Sequence, residues 1–436
     1  MLLNFQKIII IIFFKKMKAL FIFHNDLRIQ DNTTLNLLSE YSILPVFILD
    51  NRQIINNPYS SDYCLRFMQE SLDDLNSNLR KSNSKLHVFK GLTHEIVANL
   101  IKKFKPQIVA SNKDYSPFAI KRDKQIEKVC KQNEVEFISE HDRPLTPFYE
   151  IKTGSKTDYR KFTPYYNNAV KKINSKITNR RLKFTNIKSK NEKLNLDANV
   201  KHQRQKGGRK EGLKLLSKAA KMKNYKNTSN YLSKKTTMLS AHNKFGTISI
   251  REVYAKVKSN AALVQQLIWR DFYFNIMLNN DVILKNFRKP NPRIVWKNDK
   301  TQFKKWKEGK TGYPLVDAGM REMNKTGFMH NRARMIVASF LVKKLKIDWR
   351  KGEKYFAQNL IDYDISQNNG NWQWCAGTGV DSRDRTFNPN LQSKKYDADC
   401  EYIYTWIPEL QDVPAKDIHN WPTKYKNYSV YYEPIL

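Results

Sequence analysis

Short apolar runs alternate with amphipathic segments along the first third of the chain. Within the amphipathic segments apolar residues recur at helical spacing, as Leu65, Met68, Leu72, Leu75 and Leu79 do. Alternating strands and helices predict a parallel sheet with helices on both faces. The predicted strands are 19–23, 43–49, 86–89, 107–110 and 134–138, and the predicted helices are 64–79, 93–104, with Thr93 as N-cap, and 118–132.

The pattern changes to helical spacing from about Gly212, and strands are hard to find after Ile250. Helices are predicted over 260–278, over 312–324, with Pro314 in the first turn and Gly327 as the stop, and over 329–346. The predicted fold class is α/β, with an N-terminal doubly wound parallel sheet domain joined by a long basic linker to an all-α domain. The predicted boundaries are 17–145 for the sheet domain, 146–211 for the linker and 212–436 for the helical domain.

The first sixteen residues stand apart from this pattern. The apolar run from Ile8 to Phe14 is too short to span a bilayer. It also lacks the small-residue cleavage site of a signal peptide. We expect residues 1–16 to be a disordered or non-native extension and Met17 to be the true start, with a membrane anchor or a targeting signal as the alternative.

Charge narrows the set of partners. The formal net charge of +37 favours polyanions, and nucleic acid first among them. Between Lys171 and Lys210 there are 14 Lys or Arg residues against two acids, which indicates a solvated connection. A genome biased towards Lys, Asn and Ile codons is the alternative source of this charge. The four cysteines form no CxxC pair, so neither a zinc site nor a disulfide framework is indicated, and an intracellular reducing compartment, cytoplasm or nucleus, is expected.

The stretch 362–374 mixes residues that seldom occur together. Two carboxylates, Asp362 and Asp364, precede three amides and a glycine, and two tryptophans follow. Such a mixture is typical of a pocket for a flat, polar, aromatic ligand, although a helix end followed by core tryptophans is the alternative. Arg334 is a candidate buried partner for Asp362. Three hydroxyls at 236–240, beside a predicted helix start, offer a phosphate cradle, although an ordinary helix-capping run is the alternative.

Several long motifs resemble the photolyase/cryptochrome flavoprotein family. The resemblance covers roughly residues 17–415 and is greatest to the class I cyclobutane pyrimidine dimer DNA photolyases. It implies a blue-light enzyme with FAD bound non-covalently in the helical domain. The runs that carry it are Phe23–Arg28 with Asp31 and Asn32, then LIWRDFY at 267–273, WKEGKTGYPLVDAGMR at 306–321, and the runs 326–343, 347–356 and 362–374.

The resemblance also implies which residues hold the cofactor. Asn368 would face flavin N5, where an amide can reorient its hydrogen bond to suit the reduced flavin. Trp372, Trp349 and Trp306, in that order from the flavin to the surface, would form a chain of electron donors. The residues implied to bind FAD are Tyr225, Thr236, Thr237, Met238, Leu239, Ser240, Arg270, Arg334, Asp362, Tyr363, Asp364 and Asn368.

The implied substrate is damaged DNA, in which the lesion leaves the base stack. Trp269 and Trp374 would stack on the flipped dimer, and Gln266, Asn331 and Met335 would line its cavity. Arg332, Arg385 and Gln392 would contact the flanking backbone. We expect light-driven repair of cyclobutane dimers by a monomer that has no metal and no stable membrane association.

Some positions depart from the class I pattern and keep alternatives open. Gln266 stands where these photolyases usually have Glu, and Gln there, like the form of 236–240, is similar to animal cryptochromes and (6-4) photolyases. The (6-4) photolyases, however, have a His-His pair where this chain has His330-Asn331. A cryptochrome-type light receptor without repair activity and a (6-4) photolyase are therefore the alternatives. Phe118 and Ala119 depart from the folate antenna pattern, which leaves a deazaflavin, a flavin or no antenna.

Overall fold

The first unit of the protein is a parallel β-sheet. The computed structural model describes residues 17–54, 57–189, 192, 200, 202–279, 283–288, 295–381 and 385–436. The sheet has the order β3-β2-β1-β4-β5, and every pair in it is parallel, which confirms the predicted doubly wound sheet. Its strands are β1 (Lys18–Phe23), β2 (Ser42–Asp50), β3 (His87–Gly91), β4 (Ile108–Asn112) and β5 (Glu136–Glu140).

Helices cover both faces of this sheet because alternate residues of its strands point in opposite directions. Phe21 and Phe23 of β1 join one apolar cluster, and Leu20 and Ile22 join the other. The helices of this unit are α1 (Thr33–Leu37), α2 (Asn51–Ile54), α3 (Asp62–Arg80), α4 (Thr93–Phe104) and α5 (Pro117–Gln132).

The start of α4 differs from the sequence prediction. Leu92 is the N-cap residue and makes no side-chain cap, so the prediction of Thr93 as N-cap is wrong. Instead, the backbone N and Oγ1 of Thr93 both donate to Oδ2 of Asp50, at 3.1 and 2.8 Å. The carboxylate at the end of β2 therefore satisfies the donors that a capping hydroxyl would otherwise serve.

Much of the segment 146–211 packs against the rest of the protein. It contains helix α6 (Phe162–Ala169) and the short strand β6 (Lys183–Phe184), which pairs in parallel with β2. Tyr165 of α6 is fully buried, with its ring centroid 5.2 Å from that of Phe272. These elements were not predicted from the basic composition of the segment, because long Lys and Arg side chains can remain solvated around a few buried aromatic residues.

The second unit is helical. Gly327 ends the helix Pro314–Thr326 with a left-handed φ of 70°, as predicted. The predicted helix 329–346 begins later, because the His330 side chain caps it, and its last turn, Phe340–Lys344, is π-helical. The remaining helices are α7 (Arg209–Ala219), α8 (Tyr225–Thr228), α9 (Ser240–Phe245), α10 (Ile250–Val257), α11 (Ala261–Asn279), α12 (Lys300–Glu308), α13 (Pro314–Thr326), α14 (Asn331–Ser339), α15 (Trp349–Asn359), α16 (Ile365–Ala376), α17 (Pro389–Tyr396), α18 (Glu401–Trp406), α19 (Ala415–His419) and α20 (Trp421–Lys424).

A buried network of ion pairs joins the two units. Asp142, beyond β5, accepts from Arg28 at 2.7 Å and from Arg251 of α10 at 2.8 Å. Arg251 also donates to Asp31 at 2.8 Å, and all four side chains are at most 5% exposed. Burial acts to raise the pKa of Asp142, but the two guanidinium groups outweigh it and hold that pKa well below its usual range. Asp142 therefore stays ionised between its two guanidinium partners.

Two expectations concern the ends of the chain and the membrane. The predicted extension, residues 1–16, lies outside the described residues. Among the helices of the described ranges, none has both the length and the apolar content needed to cross a bilayer.

Candidate functional site

A cavity of about 920 Å³ lies in the helical unit between α11, α14 and α16. It brings together most of the side chains singled out from the sequence. Thr236, Met238, Trp306, Trp349, Arg332 and Gln392 are not part of its lining. Those that line it are Tyr225, Thr237, Leu239, Ser240, Gln266, Trp269, Arg270, Asn331, Arg334, Met335, Asp362, Tyr363, Asp364, Asn368, Trp372, Trp374 and Arg385.

The predicted ion pair between Arg334 and Asp362 is present in the cavity wall. The guanidinium binds the carboxylate through two parallel hydrogen bonds of 3.1 and 2.9 Å. The Asp362 side chain is 4% exposed. Burial acts to raise its pKa, but Arg334 and the Ser240 side chain outweigh that effect and lower the pKa. Asp362 is thus a fixed negative charge with a preset orientation.

Asp364 is the N-cap of α16 and accepts from the backbone N of Ser366 and of Gln367. Its Oδ2 also accepts from Arg143 at 2.7 Å, and Arg143 donates in turn to Asp114 at 3.0 Å. Burial acts to raise the pKa of Asp364, but Arg143 and the capping groups outweigh it, so the pKa is lowered. The sheet unit therefore orients a carboxylate of the cavity, through Arg143.

Arg270 is a cation whose two hydrogen-bond acceptors are both neutral backbone carbonyl groups. It donates to the backbone O of Arg143 at 2.6 Å and to that of Asn243 at 3.1 Å. Among the described residues, no carboxylate lies within ion-pair distance of its guanidinium. Desolvation and repulsion by Arg143 lower the pKa of Arg270 to about 10, so it remains charged at neutral pH. A cation in a cavity wall that has no carboxylate in direct contact is suited to an anionic group such as a phosphate.

These features fit the FAD that the sequence resemblance implies. Arg270 offers a charge for the diphosphate. Oδ1 of Asn243, buried in the same wall, has no hydrogen-bond partner among the described residues and can accept from a hydroxyl of the ligand. The volume lies within the range of cofactor pockets, and carboxylates and amides alternate with aromatic rings along the lining.

Asn368 projects from α16 with a buried carboxyl group behind it. Its Nδ2 donates to Oε1 of Glu353 at 3.0 Å and to the backbone O of Glu353 at 3.1 Å. Glu353 is 0% exposed, and burial raises its pKa to about 7. With Nδ2 engaged in this way, Asn368 directs its carbonyl oxygen away from Glu353.

The three tryptophans predicted to form an electron relay are all buried. Trp372 lines the cavity and lies 6.3 Å from Trp306, measured between ring centroids. Trp306 and Trp349 are both 0% exposed. The prediction that Trp306 is the surface end is therefore wrong, because a ring with no accessible area cannot meet a reductant in solvent.

Trp296 is a better-placed outer tryptophan that the sequence reasoning missed. It is partly exposed and packs against the same apolar cluster as Trp349. The residues that follow it bind the residues that precede Trp349. Lys297 N donates to Lys346 O at 2.8 Å, and Asp348 N donates to the side chain of Asn298 at 3.0 Å. The structure thus joins the segment of Trp296 to the start of α15.

One part of the cavity wall is aromatic and basic, and we call it the outer part. It is lined by Phe162, Gln266, Trp269, Trp374 and Arg385. Trp269 stacks face to face on Phe162, with centroids 3.5 Å apart and planes inclined by 6°. Arg385 lies over the ring of Trp374 at 5.5 Å. Gln266 is exposed at the same opening.

Two residues predicted to contact the DNA backbone lie beside the cavity rather than in it. Arg332 lies over the ring of Tyr396 at 4.5 Å and donates to Asn230 at 2.5 Å. Gln392 lies on α17 and is partly exposed. Oε1 of Gln392 has no partner among the described residues.

Four residues of functional interest were not predicted from the sequence, namely Arg143, Phe162, Trp296 and Glu353. Glu353 lies in the run 347–356, and its place one helical turn after Trp349 was the available signal. Arg143 could not be found in this way, because its partner Asp364 is 221 positions away.

Comparisons with known proteins agree with this geometry. Residues 19–183 match the family model described as DNA photolyase, and residues 263–435 match that described as FAD binding domain of DNA photolyase. The deoxyribodipyrimidine photo-lyase of Streptomyces griseus is 32% identical over 420 residues, which cover 92% of this chain and 91% of that protein.

Two solved structures show the same fold over nearly the whole chain. An archaeal photolyase from Sulfolobus tokodaii, described as holding two FAD molecules, is 41% identical with a TM-score of 0.89, covering 96% of each chain. A Synechocystis cryptochrome is 28% identical with a TM-score of 0.89, also covering 96% of each chain.

Proposed function

Because this chain belongs to the DNA photolyase family, we propose that it repairs cyclobutane pyrimidine dimers in DNA by a light-driven reaction that uses FAD. The observation that carries the proposal is that two chemically different sets of side chains line one cavity. The inner residues are Arg270, the Arg334–Asp362 pair and Asn368, and the outer residues include Trp269 and Trp374. A redox cofactor and a flat lesion could therefore lie within reach of each other.

The inner residues would bind and orient the cofactor. Arg270 would neutralise the diphosphate, and the fixed carboxylates Asp362 and Asp364 would accept from hydroxyl and ring N–H groups. Asn368 would present its carbonyl oxygen to the ring edge, because Glu353 holds its Nδ2, and it could offer Nδ2 instead only by giving up that bond. When bound and reduced, FAD supplies the photoexcited electron that no side chain can supply.

The outer residues would receive the lesion after it leaves the stack, a step that is less costly for a damaged base pair. Trp269 and Trp374 offer ring faces, and stacking of one base on an aromatic side chain contributes about 1–3 kcal/mol. Gln266 and Asn331 would bind the carbonyl and N–H edge of the dimer. Arg385, together with the strongly positive chain, would attract the phosphates.

For the electron path we propose Trp372, Trp349 and Trp296 in place of the series that ended at Trp306. The partial exposure of Trp296 and its junction with the start of α15 support this order. These tryptophans would pass electrons inward to reduce the cofactor and would take no part in splitting the dimer.

The position of His330 favours the cyclobutane dimer over the (6-4) lesion as the substrate. Its Nδ1 accepts from Arg332 N as the cap of α14, its side chain is buried, and it does not line the cavity. Chemistry that depends on a histidine pair facing the lesion has no counterpart here, because the next residue is Asn331. The second candidate function, a light receptor without repair, is favoured by Gln266 and by the likeness to the Synechocystis cryptochrome.

One assay separates these functions. The purified protein, reduced under anaerobic conditions, is illuminated with oligonucleotides that carry either a defined cyclobutane dimer or a (6-4) lesion. Restoration of intact bases in the dimer substrate alone supports the proposal. Repair of the (6-4) substrate alone, or no repair by protein with a full complement of FAD, would reject it.

For the antenna we propose a second flavin as the first chromophore to test. The Sulfolobus tokodaii structure is described as implying a novel light-harvesting cofactor. Phe118, where a folate site needs a polar group, lies 5.0 Å below Arg52, and Asp50 holds Arg52 at 2.8 and 2.6 Å. Two molecules of FAD released per chain on denaturation would support a second flavin, and one would not.

A further inference from the structure

The closest aromatic contact in the described part of the cavity wall is made by a side chain with no assigned role. The Phe162 ring stacks on one face of Trp269, at a centroid distance of 3.5 Å and an inclination of 6°. Phe162 is the first residue of α6, and it lines the outer part of the cavity.

The helix that carries Phe162 is anchored. Tyr165 and Ala169, on its inner side, are both 0% exposed, and Tyr165 packs on Phe272 of α11. Phe272 in turn meets Phe162 edge to face at 5.7 Å. Tyr166 also meets the Phe162 ring, at 5.7 Å. A side chain at the start of an anchored helix and in contact with three aromatic residues has a fixed position, so its face-to-face stack fixes the plane of Trp269 as well.

A tryptophan ring has two faces. Phe162 stacks on one of them, and Trp269 still lines the cavity and is partly exposed. Tyr273, one turn further along α11, stacks on Trp269 at a larger separation, with centroids 5.8 Å apart and planes inclined by 26°. A ring that is already immobilised loses little conformational freedom when a base stacks on it. The pair Phe162–Trp269 is therefore a preformed platform for one flat group.

We propose that Phe162 is a positioning residue that holds Trp269 in the plane on which the flipped pyrimidine dimer stacks. The inference rests on the proposed function, since it takes the lesion as the occupant of the outer cavity. Phe162 acts through Trp269 and sets the preference for damaged over undamaged DNA, because undamaged bases remain in the helix and do not reach this platform.

The test compares Phe162→Ala with Phe162→Tyr, which keeps a stacking ring, and with Asn167→Ala, which changes an exposed residue of the same helix. Trp269→Ala serves as the reference for loss of the platform. For each variant, the dissociation constant is measured with a dimer-containing duplex and with the same duplex undamaged. FAD content and melting temperature are measured alongside.

We expect Phe162→Ala to reduce the preference for the damaged duplex by about 2- to 12-fold, the range for one aromatic pair. Phe162→Tyr and Asn167→Ala should keep the wild-type ratio, and FAD content should not change. If Phe162→Ala fails to fold, Phe162→Leu keeps the bulk without the ring and is expected to show the same loss.

Three results would overturn the inference. An unchanged ratio in Phe162→Ala, while Trp269→Ala lowers it, would mean that Trp269 needs no support from Phe162. Tighter lesion binding by Phe162→Ala would mean that Phe162 occupies the place of the lesion. A wild-type ratio in Trp269→Ala would remove the platform itself and, with it, the lesion site of the proposed function.

Discussion

Replacing Gly352 with Ala tests how closely helix α15 approaches Trp372. A methyl group built at Gly352 would lie 2.6 Å from Cζ3 of Trp372, closer still to its Cη2, and 2.5 Å from Cδ2 of Leu341. Carbon atoms pack best at about 3.5–4.0 Å, so a neighbour must move by about 1 Å. Trp372 is 2% exposed and Leu341 is 0% exposed, so neither side chain can move into solvent.

The expected stability change is the difference between two effects. Overpacking of a core costs about 1–3 kcal/mol. Alanine in the middle of a helix stabilises it by about 0.5–1 kcal/mol relative to glycine. The net result should be a loss of about 1–2 kcal/mol, seen as a fall of a few degrees in melting temperature.

Gly319→Ala is the matched control within another helix of the same unit. A methyl group there would lie 3.1 Å from Val337 and 3.3 Å from the Cβ of Ala333, so a shift of a few tenths of an ångström suffices. We expect this variant to melt close to the wild type. Circular dichroism on heating measures both variants, and blue-light reduction of bound FAD should be slower in Gly352→Ala because Trp372 is displaced. A Gly352→Ala protein that melts at or above the wild-type temperature and photoreduces at the wild-type rate would refute this packing.

Three further predictions follow from other side chains of the site. Trp296→Phe should slow photoreduction of bound FAD by an external reductant more than Trp306→Phe does, as followed by flavin absorbance; the reverse order would restore Trp306 as the outer end. Gln266→Glu should raise the yield of dimer repair and change lesion affinity less than about tenfold, because a hydrogen bond to a charged group contributes about 1.5–3 kcal/mol and a neutral one about half of that. Absence of dimer repair in both the wild type and the variant would contradict this prediction. Burial raises the pKa of Glu353 from 4.5 to about 7, so the folded protein keeps a proton that the unfolded chain releases, and the free energy of unfolding should fall by up to about 3 kcal/mol as pH rises through that interval. Glu353→Gln should reduce this pH dependence, as measured by urea unfolding at pH 4.5 and 7.5. An equal pH dependence in both proteins would show that Glu353 does not titrate in this interval.

Local patterns in the sequence were sufficient for the five main strands and most of the long helices. The helix predicted over 93–104 has those bounds in the structure, because its apolar spacing and its flanking residues agree. The cap of that helix could not be predicted, since it depends on Asp50 in a distant strand. Likewise, the two-residue strand β6 is stabilised by its partner β2 and carries no pattern of its own.

For the site, the sequence identified residue types better than their depth or their neighbours. Trp296 and Trp306 look alike in sequence, and only the packing shows that the second has no exposed surface. The stack of Phe162 on Trp269 joins a basic segment to an apolar helix, and neither composition indicates the other. The pair Arg334–Asp362 could be predicted because its motifs are long and adjoin the same predicted pocket.

The buried ion pairs between the two units set a rule for building chimeras from related proteins. Arg28 and Asp142 come with the sheet unit, and Arg251 comes with the helical unit. A hybrid that takes its halves from different sources must match these charges, because one guanidinium or carboxylate left buried without its partner costs about 3–5 kcal/mol. A helical unit produced alone would expose Arg251 and would leave Asp364 without Arg143, so the halves of this protein are not interchangeable parts.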